Sequence, residues 1–196
     1  MSHHALPDNL SADQALARLL EGNRAYVANG ANAGDVSAAA RARGANEGQA
    51  PYAVVVACSD SRVIPEVAFN AGLGEIFVIR VAGNVIDDHQ MGSIEYAVEH
   101  LGSRLVLVLG HTQCGAVAAA MEGSPDGHIK YITDQIGEAI ERAGGVADAY
   151  EACCANAHNA VAIIEGSLEI QEEEAQDGLR VLPAIFDIET GAVELL

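Results

Sequence analysis

Tyr52-Ala53-Val54-Val55-Val56-Ala57 runs directly into Cys58-Ser59-Asp60-Ser61-Arg62. A short, wholly apolar run rich in β-branched residues reads as a strand buried on both faces, because it is too short for most helices. The pattern returns in Leu105-Val106-Leu107-Val108-Leu109-Gly110, which stops at His111-Thr112-Gln113-Cys114-Gly115. Open α/β sheets place their ligands just beyond the carboxyl ends of parallel strands. Two polar clusters are therefore expected at one edge of one sheet.

Outward from these runs the chain alternates between helical and strand patterns. Leu10 to Ala28 carries Leu16, Leu19, Leu20 and Val27 among charges, an amphipathic helix with Ser11 as N-cap and Asn29-Gly30 as a stop. Residues 30–48 read as a loop with a short helix. Pro65 opens a short helix, and Glu75 to Ile79 reads as a second strand that runs on to Gly83-Asn84. Helices are expected over 92–101, 114–121, 128–142 and 148–170, with Glu172-Glu173-Glu174 on a solvated face. Leu179 to Ile188 is a further strand, and Glu189-Thr190-Gly191 turns the chain into an edge strand over 192–195. The prediction is an α/β fold: a mostly parallel central sheet of four strands, a C-terminal antiparallel edge strand, and helices on both faces. No repeat or linker divides the chain, so 1–196 is expected to be one domain, with 1–48 as an N-terminal helical arm.

Cys58, His111 and Cys114 together offer two thiolates and one imidazole. Structural zinc sites are normally closed by four protein ligands, whereas catalytic ones keep a position for water or substrate. Cys114 starts a helix, where the thiolate is favoured. Asp60, two residues from the fixed cation of Arg62, is the outer support that such a metal site requires. Taken singly, each residue has an ordinary structural role; the combination reads as a zinc hydrolyase.

The blocks Cys58-Ser59-Asp60-Ser61-Arg62 and Gly110-His111-Thr112-Gln113-Cys114-Gly115-Ala116-Val117 resemble the two signature blocks of the β-class carbonic anhydrases. The similarity extends through Gln49-Ala50-Pro51, Phe77-Val78-Ile79-Arg80, Ala82-Gly83-Asn84 and Gly92-Ser93-Ile94-Glu95-Tyr96-Ala97, and then weakly through Gly127-His128-Ile129 to Phe186-Asp187-Ile188-Glu189-Thr190-Gly191. It implies one Zn²⁺ per chain on Cys58, His111 and Cys114, with Asp60 and Arg62 as the catalytic dyad. It also implies that Gln49 reaches substrate oxygens, usually across a subunit interface, and that the arm wraps a partner subunit. The expected reaction is reversible hydration of CO₂ to bicarbonate and a proton through a zinc-bound hydroxide favoured at alkaline pH, in a dimer or tetramer. The rivals are hydrolysis of COS or CS₂ on the same zinc, and a non-catalytic zinc or bicarbonate-sensing protein. An apolar CO₂ pocket is expected from side chains such as Val63, Phe69, Val81 and Tyr96. Val81 stands where many relatives carry Asn. The chain has no Trp, so the regulatory bicarbonate site of some bacterial relatives cannot be complete.

Composition narrows the partners. A formal charge of −18 repels nucleic acid and anionic membranes. No apolar run approaches the ~18 residues that span a bilayer, and the first residues show no secretory signal, so a cytoplasmic location is expected. Lys130 is the sole lysine beside nine arginines; salt adaptation and a GC-rich genome each produce that bias. Without a Cys-x-x-Cys pair, the four cysteines do not read as a disulfide framework, and Cys153-Cys154 read as small buried hydrophobes on a helix.

Overall fold

The structure, a computed structural model, describes residues 10–29, 34–123 and 126–196. Residues 1–9 and 30–33 of the arm lie outside the described residues. Five strands, β1 (Ala53–Ala57), β2 (Ile76–Arg80), β3 (Leu105–His111), β4 (Arg180–Phe186) and β5 (Val193–Leu195), form one sheet in the order β2-β1-β3-β4-β5. The first four are parallel; β5 runs antiparallel to β4. This is the expected architecture.

Alternate residues of a strand face opposite sides, and here both sides are covered. Ala53, Val55, Leu105, Leu107 and Leu109 pack against Ala15 and Leu19 of α1 (Ala12–Asn29) and against Phe69. On the other side, Val54, Val56, Val106 and Val108 meet Ile94 and Val98 of α4 (Asp88–Leu101) and Val161 and Ile164 of α7 (Ala149–Ile164). The unbroken apolar runs in the sequence are the direct result of this double burial. Helix α3 (Pro65–Ala68) begins on its proline. Helices α5 (Gly115–Glu122) and α6 (Ile129–Arg142) come after β3, and α8 (Leu168–Asp177) precedes β4.

The N-terminal segment divides in two. α1 covers the sheet of its own chain, and its buried Asn23 donates to the carbonyls of Ala68 (3.0 Å) and Gly191 (2.8 Å). In α2 (Ala38–Glu47), capped by Ser37, only Ala40 is buried.

Three local expectations change. α4 starts at Asp88 rather than Gly92, because Asp87 and Gln90 form a reciprocal capping box. The 148–170 pattern is two helices, broken at Gly166, with Ser167 capping α8. Glu173 is not simply solvated, since Arg104 binds it at 2.6 Å.

Candidate metal centre

Parallel pairing brings the two signature stretches to one end of the sheet. Cys58 comes directly after β1, His111 ends β3, and Cys114 is the N-cap residue of α5. Their ligand atoms lie within 4.8 Å of one another, and all three residues are buried. The Nδ1 atom of His111 is 2.9 Å from the carbonyl of Thr112. A carbonyl only accepts, so Nδ1 carries the proton and Nε2 keeps its lone pair. That Nε2 is buried and, among the described residues, has no hydrogen-bond partner. A bare imidazole nitrogen beside two sulfurs fits a divalent, thiophilic cation such as zinc.

The Cys58 sulfur is prepared as an anion. It accepts the backbone N–H of Gly83 at 3.2 Å and of Asp60 at 3.4 Å. Its pKa is pushed down, foremost by the hydrogen bond from the Cys114 thiol and then by those two amides, against the cost of burial. Cys114 is pushed up because it holds the proton facing Cys58. The Gly83 amide reaches the sulfur from a 3₁₀ turn, Ala82–Asn84, in which Gly83 has φ +69°. A Cβ there would meet Ile136 Cδ1 at 2.8 Å and Ala116 Cβ at 3.1 Å, so a larger residue would be strained at this φ and would push Ile136 aside.

Asp60 and Arg62 are locked together beside the three ligands. Nε of Arg62 donates to Oδ1 at 2.9 Å and Nη2 to Oδ2 at 2.7 Å, while the Arg62 backbone N–H also donates to Oδ1. The Arg62 side chain, foremost, holds the Asp60 carboxyl well below the usual carboxylate range. Nη2 of Arg62 also reaches the Gln113 carbonyl at 3.1 Å, tying the loop after β1 to the loop after β3.

Not every expected residue gathers here. Gln49 is exposed ahead of the first residue of β1, whereas Cys58 lies just past the last. It lies in a groove of about 790 Å³ with Arg18, Arg41, Arg43 and Tyr52, at the end of the strand away from the metal ligands. Val63 and Phe69 belong to the core beneath α1, and Tyr96 packs on Phe77 and His100. Of the four pocket side chains, only Val81 packs with the cluster containing Cys58 and Cys114. The sequence reading missed Arg80, whose side chain donates to the carbonyls of Cys58 (3.0 Å) and Asp60 (2.7 Å). Its position becomes legible only from strand order, since Arg80 pairs with Ala57.

Comparison with known proteins accords with this geometry. The family model for carbonic anhydrase matches residues 53–193. Carbonic anhydrase 2 of Mycobacterium tuberculosis (strain CDC 1551 / Oshkosh) is 37% identical over 185 residues, covering 90% of this chain and 89% of that protein. This chain belongs to the β-carbonic anhydrase family. It is thus an enzyme of a family that uses zinc. A Coccomyxa β-carbonic anhydrase, solved in complex with acetazolamide, superposes with a TM-score of 0.72 at 29% identity, covering 92% of this chain and 86% of that one. One of two tetrameric β-carbonic anhydrases of Sordaria macrospora shares the fold at TM-score 0.73 and 24% identity, covering 93% and 97% of the two chains. A carbon disulfide hydrolase also shares the fold, at TM-score 0.57 and 17% identity, covering 79% of this chain and 83% of that one. The fold alone therefore does not select the substrate.

Proposed function

We propose that this chain catalyses the reversible hydration of CO₂ to bicarbonate and a proton, with one zinc per chain held by Cys58, His111 and Cys114. The observation that carries the reading is the buried, partnerless Nε2 of His111 beside two sulfurs, adjacent to a carboxylate gripped by arginine. When bound, zinc supplies Lewis acidity that makes water a nucleophile at accessible pH, tempered by the charge of two thiolates.

The protein's own part is orientation. Oδ1 of Asp60 accepts two hydrogen bonds from Arg62 and Oδ2 accepts one. Each carboxylate oxygen has two lone pairs, so Oδ2 retains one that can accept the proton of the attacking water and aim its oxygen at carbon. Arg62 keeps that carboxylate ionised throughout, and its planar fork fixes the plane, which a lysine could not do. Asp60 is not among the side chains whose donor atoms converge on one point. Its carboxylate is turned to Arg62.

Gln49 belongs to this reading as a substrate-binding residue supplied by another subunit. Its exposure in a groove at the far end of β1 supports a role outside its own chain's site, and dimeric or tetrameric self-association in the cytoplasm would provide the partner. Among the described residues no helix is long and apolar enough to cross a membrane.

The test is stopped-flow hydration on metal-analysed protein, with CO₂, COS and CS₂ side by side and with Cys58→Ala and Asp60→Ala as controls. Fast CO₂ turnover that both substitutions abolish is the expected result. Turnover of COS or CS₂ alone would transfer the site to the sulfur substrates. Full zinc occupancy without turnover of any of the three would make it a sensor.

A further inference from the structure

Two peptide groups donate to the Cys58 sulfur, those carrying the N–H of Asp60 and of Gly83. Both residues are also held through their carbonyls by side chains that touch no ligand atom. The Asp60 carbonyl accepts Nη2 of Arg80 at 2.7 Å, and Nε of the same guanidinium reaches the Cys58 carbonyl at 3.0 Å. The Gly83 carbonyl accepts Nδ2 of Asn156, a buried side chain on α7, at 2.7 Å. Arg80 makes no ion pair with a carboxylate among the described residues, so its fork is committed to the two carbonyls.

We propose that Arg80 and Asn156 are positioning residues of the metal centre, holding through their carbonyls the two residues whose amides orient the Cys58 thiolate. The inference rests on the zinc reading of the site. A guanidinium bridging the carbonyls on either side of Ser59 fixes the pitch of the loop from Cys58 to Asp60. Through that loop it sets both the sulfur direction and the start of the carboxylate that Arg62 grips. Asn156 does the same for the turn containing Gly83. Hydrogen bonds to a thiolate stabilise its charge and fix its lone pairs only while the donors stay aimed. Loss of outer partners of this kind typically costs ten- to a hundredfold in metal affinity.

The experiment compares wild type, Arg80→Gln, Arg80→Lys and Asn156→Asp. Zinc affinity is read by competition with a chromophoric chelator, the thiolate-to-metal charge-transfer bands by Co(II) substitution, and the melting temperature on metal-free protein. Arg80→Gln and Asn156→Asp are expected to bind zinc about ten- to a hundredfold more weakly, with shifted Co(II) bands. Arg80→Lys, with the charge but one point of attachment, should fall between Arg80→Gln and wild type. Variants that melt earlier yet keep wild-type affinity and wild-type bands overturn the proposal, as does full recovery by Arg80→Lys. Arg80 is exposed, so Arg80→Gln decides the matter if Asn156→Asp does not fold. Wild-type protein that binds neither metal overturns the zinc reading and the clamp with it, whereas normal wild-type binding with unaffected variants overturns the clamp alone.

Discussion

The side-chain oxygen of Asn23 accepts the backbone N–H of Val193 at 2.9 Å, joining the first helix to the last strand. With its two donated bonds, this one buried amide satisfies three backbone groups, one on α3 and two in the C-terminal hairpin. Replacing Asn23 by Leu strands all three, and each unmet buried group costs about 1–3 kcal/mol. Allowing for water reaching some of them, a loss on the order of 3 kcal/mol is expected, measured by urea unfolding. A change below about 0.5 kcal/mol, the range of a surface substitution, would mean that α1 is not anchored here.

Arg62→Lys should cost more than its reputation as a mild change suggests. Lysine can reach one carboxylate oxygen of Asp60 but cannot span both while also holding the Gln113 carbonyl. A ten- to hundredfold fall in kcat/KM for CO₂, equivalent to about 1.4–2.7 kcal/mol, is expected. Zinc content should stay at wild-type level, because Arg62 does not touch a ligand atom. Unchanged kcat/KM would remove Arg62 from the orientation of Asp60.

Asp35 titrates at about 2 instead of the usual 3.8, held down by the Ser37 hydroxyl and backbone N–H, with Arg43 adding to them. A depressed carboxylate contributes stability that is present above the unfolded value and is lost as pH falls through the folded one. The turn leading into α2 should therefore hold at pH 4 and loosen towards pH 2. The Ser37 amide shift, tracked by NMR, should show a midpoint near 2. A midpoint near 4 would mean that the Asp35–Ser37 turn is not populated in solution.

Salt should raise the melting temperature. Against 28 acidic side chains stand 10 basic ones, so most carboxylates lack a cation and repel one another. The Debye length falls from about 30 Å at 0.01 M to about 3 Å at 1 M. Repulsion between surface carboxylates should be largely screened by a few tenths molar, and the curve should flatten there if the acidic bias is compositional. A rise that continues at molar salt marks adaptation to salt, and a fall across the whole range would contradict net self-repulsion.

Strand direction and the gathering of Cys58, His111 and Cys114 at one end of the sheet were legible because each arises from a short-range signal, whereas the order β2-β1-β3-β4-β5 was not. The apolar run through Val54-Val55-Val56 is short and β-branched, which favours a doubly buried strand over a helix, and a parallel strand delivers the residue at its carboxyl end, here Cys58, to the ligand-binding edge. Helix boundaries were less legible where a cap outweighed periodicity. Asp87 and Gln90 extend α4 by four residues beyond its apolar start at Gly92, and Gly166-Ser167 divides what reads as one long helix. The pocket side chains failed for a different reason. Apolarity near a signature does not distinguish a lining residue from a core residue, and Phe69 is buried in the core under α1. The contacts of Arg80 and Asn156 are tertiary, made with carbonyls that have no sequence signature.

The ligands of the metal centre come from strand tips separated in the chain by all of β2 and α4. A half-made sheet, or one paired out of step by a single residue, points its sulfur and nitrogen donors apart and offers no chelate. On the zinc reading, the chelate therefore exists only once β1 and β3 have paired in register.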